Sequence, residues 1–198
     1  MMTVSQYSLL KALISEHWEW SQYNFGAEQS WRSAMEPALG IGEEMGELAD
    51  ALLINQNMAG IKDAFADVLL YMADLSNRVN LQGAMLPRDA VLYKGEFPSN
   101  RVSVTSFLPL AVKQVGIIQH CILKMAQGIR QDEDHVMNLQ AAIYSLADIL
   151  FSTAASIGLD ILEDCLFPVW EKVVSKRDWR RERDSSLGSN LINSVPKG

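Results

Sequence analysis

The sequence predicts an all-α protein, a helical bundle, on three observations. Apolar residues recur at three- and four-residue intervals over six segments. Glycine, proline and asparagine collect between those segments. The strict apolar–polar alternation of a half-buried strand is sustained nowhere.

Thr3 followed by Gln6 reads as a capping box, and Leu9, Leu13 and Trp20 continue a helical stripe, so the first helix is expected over residues 3–20. Residues 21–34 read as a loop carrying amides and aromatics. Pro37 suits a first turn, and Met45, Leu48 and Leu52 extend a second helix over 37–55. Gly60 is expected to break the chain before a third helix over 62–80, whose stripe is Phe65, Val68, Leu69, Met72, Leu75 and Val79. The apolar period fades over 81–106, where Gly83, Pro87, Gly95 and Pro98 mark a linker. Further helices are expected over 108–127, ended by Gly128, and over 136–157, ended by Gly158. A last helix is expected over 160–183, kinked or restarted by Pro168. The tail 184–198 is polar and expected to be mobile.

The halves look like divergent copies: Met45-Gly46 answers to Val115-Gly116, and Ala66-Asp67-Val68-Leu69 to Ala147-Asp148-Ile149-Leu150. The expected organisation is a repeat over 1–80, the linker 81–106, a degenerate repeat over 107–183 and the tail. Two helical hairpins would then pair, since neither buries its apolar stripe alone.

Composition narrows the function. The chain has 198 residues and a formal charge of −7, which argues against binding a nucleic-acid polymer. Two cysteines give no disulfide framework, and no charged segment followed by an apolar run opens the chain. No stretch approaches the about 20 apolar residues of a membrane span, so a soluble cytoplasmic protein without a membrane partner is expected.

The chemistry is expected from carboxylates. Glu43, Glu44 and Glu47 project from adjacent parts of one helical face, and Asp50 extends the stripe. Asp63, Asp67 and Asp74 form a second stripe on the next helix. Like charges gathered this way repel unless a cation intervenes, and a hard cation such as magnesium takes oxygen ligands and bridges carboxylates to phosphates. A solvated acidic face is the plain alternative. Interleaving with Met45, Leu48, Phe65 and Leu69 argues against it.

Gly42-Glu43-Glu44-Met45-Gly46-Glu47-Leu48, then Asp63-Ala64-Phe65-Ala66-Asp67-Val68-Leu69-Leu70-Tyr71, and late Trp170-Glu171-Lys172-Val173 with Lys176-Arg177-Asp178-Trp179 resemble the MazG-type all-α nucleoside triphosphate pyrophosphohydrolases. That superfamily includes the dimeric dUTPases and phosphoribosyl-ATP pyrophosphohydrolase. The resemblance implies Glu44, Glu47 and Asp67 as magnesium ligands, with manganese as the alternative ion. It implies Glu43 as a further ligand or as the group orienting or deprotonating the attacking water. Where the family carries Glu, this chain has Ala64, and Asp63 one step earlier is the expected substitute. The implied reaction converts a nucleoside triphosphate and water to monophosphate and pyrophosphate. A dedicated dUTPase or dCTPase, a phosphoribosyl-ATP pyrophosphohydrolase and a non-catalytic helical scaffold stay open, and relatives suggest a homodimer.

Gln22 and Asn24, beside Tyr23 and Phe25, could read a base edge, or form an ordinary polar turn. Asp74, Asn77 and Arg78 are further substrate-contact candidates, with an Asp74–Arg78 pair the plainer reading. The cluster Lys172, Lys176, Arg177, Arg180, Arg181 and Arg183 could meet phosphates or simply complete a helix end. His17, His120 and His135 show no paired metal spacing, and structural or surface roles are expected.

Overall fold

The computed structural model describes residues 4–81 and 104–176. All its regular structure is helical: α1 (Val4–Phe25), α2 (Met35–Leu53), α3 (Met58–Arg78), α4 (Val104–Gln127), α5 (His135–Ser156), a π-helical segment (Ile161–Leu166) and α6 (Phe167–Lys176). The all-α class follows as the apolar periodicity predicts. The Thr3 cap, most of the 81–106 linker, the tail, Trp179 and the arginines from Arg177 to Arg183 lie outside the described residues.

Among the boundaries that differ from the sequence reading, α4 begins at Val104, inside the expected linker, rather than at 108, and two others have a local cause. α1 runs past Trp20 to Phe25, because residues 21–25 hold no proline or glycine and Ser21 is buried. Gly26, at φ +88°, ends it, its N–H donating to the Gln22 carbonyl at 3.0 Å. Gly60 does not break the chain but lies in the first turn of α3. The break falls at 54–57, where Gln56 takes φ +46° and the Asn57 side chain caps α3 by accepting from the Ala59 N–H at 3.2 Å. A side chain at Gly60 would press on Asn57 and Ala51, so this glycine serves close packing.

Other ends follow their signals. Gly158, at φ +82°, closes α5 with paired bonds from Leu159 N–H to the Ala154 carbonyl (2.9 Å) and from Gly158 N–H to Ala155 (3.1 Å). Asp160 then caps the π-helical segment, accepting from the Leu162 and Glu163 N–H groups. Pro168, which cannot donate to a carbonyl four residues back, sits just inside α6 at the change from π to α geometry.

α2 and α3 form one hairpin, α4 and α5 a second, and α2 packs against α4. Gly42 permits that approach: a Cβ there would lie 2.7 Å from Gln119 Nε2, which instead donates to the Ala38 carbonyl at 3.1 Å. On the other side of α3 lie α1, the π-helical segment and α6, so α3 runs through the middle and most of its residues are buried. Ile41, Leu48, Phe65, Met72, Leu75, Ile118, Ile143 and Leu146 form the centre of the core.

One expectation is corrected here. By length and composition Ser106–Gln127 is apolar enough to cross a membrane, because only Lys113 and Lys124 interrupt it with charge. In this fold about a third of it is buried, and Phe107, Ala111, Val115, Ile118 and Ile122 belong to the common core.

Candidate functional site

The central helix positions the acids. Along α3, Asp63, Asp67 and Asp74 share one side, and their surroundings separate them chemically. Asp63, half-exposed, pairs with Lys172 of α6 at 3.2 Å. Asp74 is buried and accepts from Arg78 Nε at 2.9 Å and from Ser21 Oγ at 2.5 Å. Arg78 is itself buried, donates also to Ser21 Oγ and the Glu28 carbonyl, and lies 5.7 Å from the Trp18 ring. Asp74 and Arg78 therefore form a satisfied pair that ties α3 to α1 and the loop after it. Asn77 is buried too, its amide donating to the Ala73 carbonyl at 3.0 Å.

Asp67 stands between these two compensated acids and differs from both. Burial first, then Asp63, pushes its carboxyl up to about 6, although Lys172 and Lys176 oppose the rise. Across from it on α2, burial and then Asp67, Glu47, Glu43 and Asp63 push Glu44 up to about 7. Asp67 thus raises Glu44 across the helix pair, and Glu47 of α2 in turn raises Asp67, which joins the two acidic stripes electrostatically.

Glu44 and Asp67 line one cleft of about 320 Å³, together with His17, Trp20, Ser21, Phe25, Tyr71, Asp74, Trp170 and Lys176. Its walls are aromatic: Trp20 meets Trp170 edge-on at 5.8 Å and Phe25 at 5.4 Å. His17 lies between the two indoles, 5.5 Å from Trp20 and 5.3 Å from Trp170. Burial lowers the His17 imidazole to about 4, leaving it neutral, and its Nδ1 has no hydrogen-bond partner among the described residues. Tyr71 reaches the cleft because Gly40 makes room: a Cβ there would sit 2.6 Å from the ring. Burial, then Glu44, raises the Tyr71 hydroxyl above its ordinary value.

Glu43 and Glu47 are exposed and line a neighbouring depression with Asp50, Asn55 and Asn57. The acids therefore divide into an inner pair, Glu44 and Asp67, and an outer group led by Glu43 and Glu47. Ala64, where the resembled families carry Glu, is buried in the core. Gln22 and Asn24 ride on the last turn of α1, with the Asn24 amide donating to the Trp20 carbonyl at 2.8 Å, and neither lines the cleft. Of that neighbourhood it is Phe25 that does. His17, Trp20, Tyr71 and Trp170 are wall residues that the sequence reading gave structural roles or none. Their signal was the clustering of aromatics on α1, but no periodicity says that α6 returns to cover it.

The inner pair offers hard oxygen donors at half-buried positions where charge is poorly compensated, which suits a divalent cation better than a softer ion. No protein-family model, curated protein or solved structure matches this chain.

Proposed function

We propose that the protein is a magnesium-dependent nucleoside triphosphate pyrophosphohydrolase, with manganese able to replace magnesium. The observation that carries this reading is the joining of Glu44 and Asp67, on consecutive helices and both raised in pKa, at one aromatic-walled cleft. Glu44, Glu47 and Asp67 would hold the cation, with Asp63 at the edge after release from Lys172. When bound, the cation neutralises charge on the phosphates and orients the attacking water.

The chain's own residues divide the remaining work. Trp20, Phe25 and Trp170 offer rings for a base to stack on. His17, neutral and with Nδ1 unpartnered, can accept a hydrogen bond from a base edge. Lys176 brings positive charge to the same cleft, where it can meet phosphate oxygens. A cleft of about 320 Å³ suits a base and sugar, leaving the phosphates to run toward the outer acids. Glu43, exposed beside them, can take the proton of the attacking water as its oxygen bonds to phosphorus and the bridging P–O bond breaks. The resemblance to the MazG-type enzymes supports attack between the α and β phosphates.

A second reading has its own observation. Asp63 is engaged by Lys172 and Ala64 is buried, which favours a non-catalytic scaffold in which the acid cluster is incomplete. Incubation of the purified protein with magnesium and a panel of canonical and modified (d)NTPs separates the two. Monophosphate and pyrophosphate from the wild type, abolished in Glu47→Gln, are expected. No turnover of any nucleotide with magnesium or manganese would leave the scaffold standing.

A further inference from the structure

Away from the acidic cleft, at the turn between α4 and α5, three side chains converge that are distant from it in chemistry as well as in sequence. His120 comes from the last two turns of α4, Glu133 from the connecting loop, and His135 from the first position of α5. One ligand atom from each lies within 4.8 Å of the other two. Glu133 Oε2 is 3.7 Å from His120 Nε2 and 4.0 Å from His135 Nδ1, and the two imidazole centroids are 5.9 Å apart.

His135 is the informative member. It is 2% exposed, and its Nε2 lies 2.8 Å from the Arg130 carbonyl. That contact needs the proton on Nε2, because a carbonyl can only accept. In the neutral ring Nδ1 then carries a bare lone pair, and it is buried without a hydrogen-bond partner while facing Glu133. A buried nitrogen lone pair with nothing to receive costs free energy, and a carboxylate cannot supply the missing donor. A metal ion can. The backbone carbonyl on the far nitrogen is the arrangement that orients metal-ligating imidazoles.

The loop holds this geometry from several sides. Arg130, at φ +54°, turns its carbonyl to receive both His135 Nε2 and the Glu133 N–H, and its guanidinium lies 3.5 Å from Glu133 Oε1. Oε2 is the oxygen left toward the histidines. Asp134 is occupied otherwise, its side chain capping α5 through the Met137 N–H at 2.9 Å.

We infer that His120, Glu133 and His135 form a binding site for a zinc-class transition ion that fastens the α4–α5 turn. Two imidazoles and one carboxylate suit zinc, whereas magnesium prefers oxygen alone. A tetrahedral ion with ligands at about 2.0–2.2 Å needs ligand atoms about 3.4 Å apart, so the closing movement required is on the order of 1 Å. His120 is partly exposed and lines a solvent-open groove, which leaves the fourth coordination position to water. Nothing in the spacing of His120 and His135 announces the site, because the chain reverses between them.

The test uses the full chain after chelator treatment, titrated with Zn²⁺ and separately with Co²⁺, with Mg²⁺ as the control. Expected are one Zn²⁺ per chain by calorimetry, visible ligand-field bands of four-coordinate cobalt, and a rise in melting temperature with Zn²⁺. His120→Ala, at a partly exposed position outside the core, should weaken zinc binding about 100-fold. Glu133→Gln should weaken it as well and remove the cobalt bands, while Glu47→Gln leaves both readouts unchanged. Absence of zinc binding in the wild type overturns the inference. So does zinc binding that survives both His120→Ala and Glu133→Gln, or that is lost in Glu47→Gln, which would assign the ion to the acidic cleft.

Discussion

Replacing Glu44 with glutamine should stabilise the metal-free protein at neutral and alkaline pH. Burial and four neighbouring carboxylates raise Glu44 from 4.5 to about 7. At about 1.4 kcal/mol per pH unit the whole displacement would correspond to about 3 kcal/mol. Glu44 is only half-buried, and screening by solvent reduces the effect to about 1–2 kcal/mol. Because the folded-state value lies above the unfolded one, the folded protein holds this proton more tightly. The stability tied to it is intact below pH 4.5 and is lost as pH rises through about 7. Glutamine cannot ionise, so the variant escapes that loss. For a chain of this length 1–2 kcal/mol is about 2–8 °C in melting temperature. Thermal melts of both proteins in chelator from pH 4 to pH 8.5 should therefore coincide near pH 4 and diverge between pH 4.5 and 7. Added magnesium should raise the wild-type curve and leave the variant's almost unchanged. Parallel curves across the range would show that Glu44 does not carry the proposed repulsion.

Two further outcomes follow from the scaffold around the cleft. Arg78→Met should destabilise by about 3–5 kcal/mol in urea unfolding, because it strands the buried Asp74 carboxylate and removes the contact with Trp18; a loss under about 1 kcal/mol would mean that Asp74 finds water or another partner. Gly40→Ala should cost about 1–3 kcal/mol and displace the Tyr71 ring, visible as a change in tyrosine fluorescence or ring NMR shifts, since the new methyl would meet that ring at 2.6 Å; unchanged stability and spectra would refute the close approach.

The fold class was legible because helical periodicity and glycine ends are local signals. Gly128 and Gly158 each stop a helix with a left-handed residue, as their positions after an apolar stripe predict. Gly26 does the same for α1 but was read as part of a loop, since amides and aromatics before it obscured the continuing helix. Gly60 shows the opposite error, for a glycine can serve contact with Ala51 as readily as termination. Glu44 and Asp67 could be singled out by their apolar neighbours in sequence. The cleft wall could not, because His17 and Trp170 meet only through the packing of α1, α3 and α6. The His120–Glu133–His135 cluster was hidden for the same reason: a turn brought it together.

Along α3 the chain treats three aspartates in three ways, and the contrast bears on what Asp67 is for. Asp63 is neutralised by Lys172 at the surface, and Asp74 by Arg78 and Ser21 in the interior. Asp67, one turn from the first and two turns from the second, has no hydrogen bond or ion pair among the described residues and faces Glu44. The means of compensating a buried carboxylate are thus present on the same helix face and are not applied at Asp67. An ionised acid so placed costs stability that Lys172 and Lys176 offset only in part, and further positive charge at the cleft would relieve the rest. Glu44 stands in a comparable position on α2, so the two costs fall at one cleft, where the proposed divalent cation would offset both.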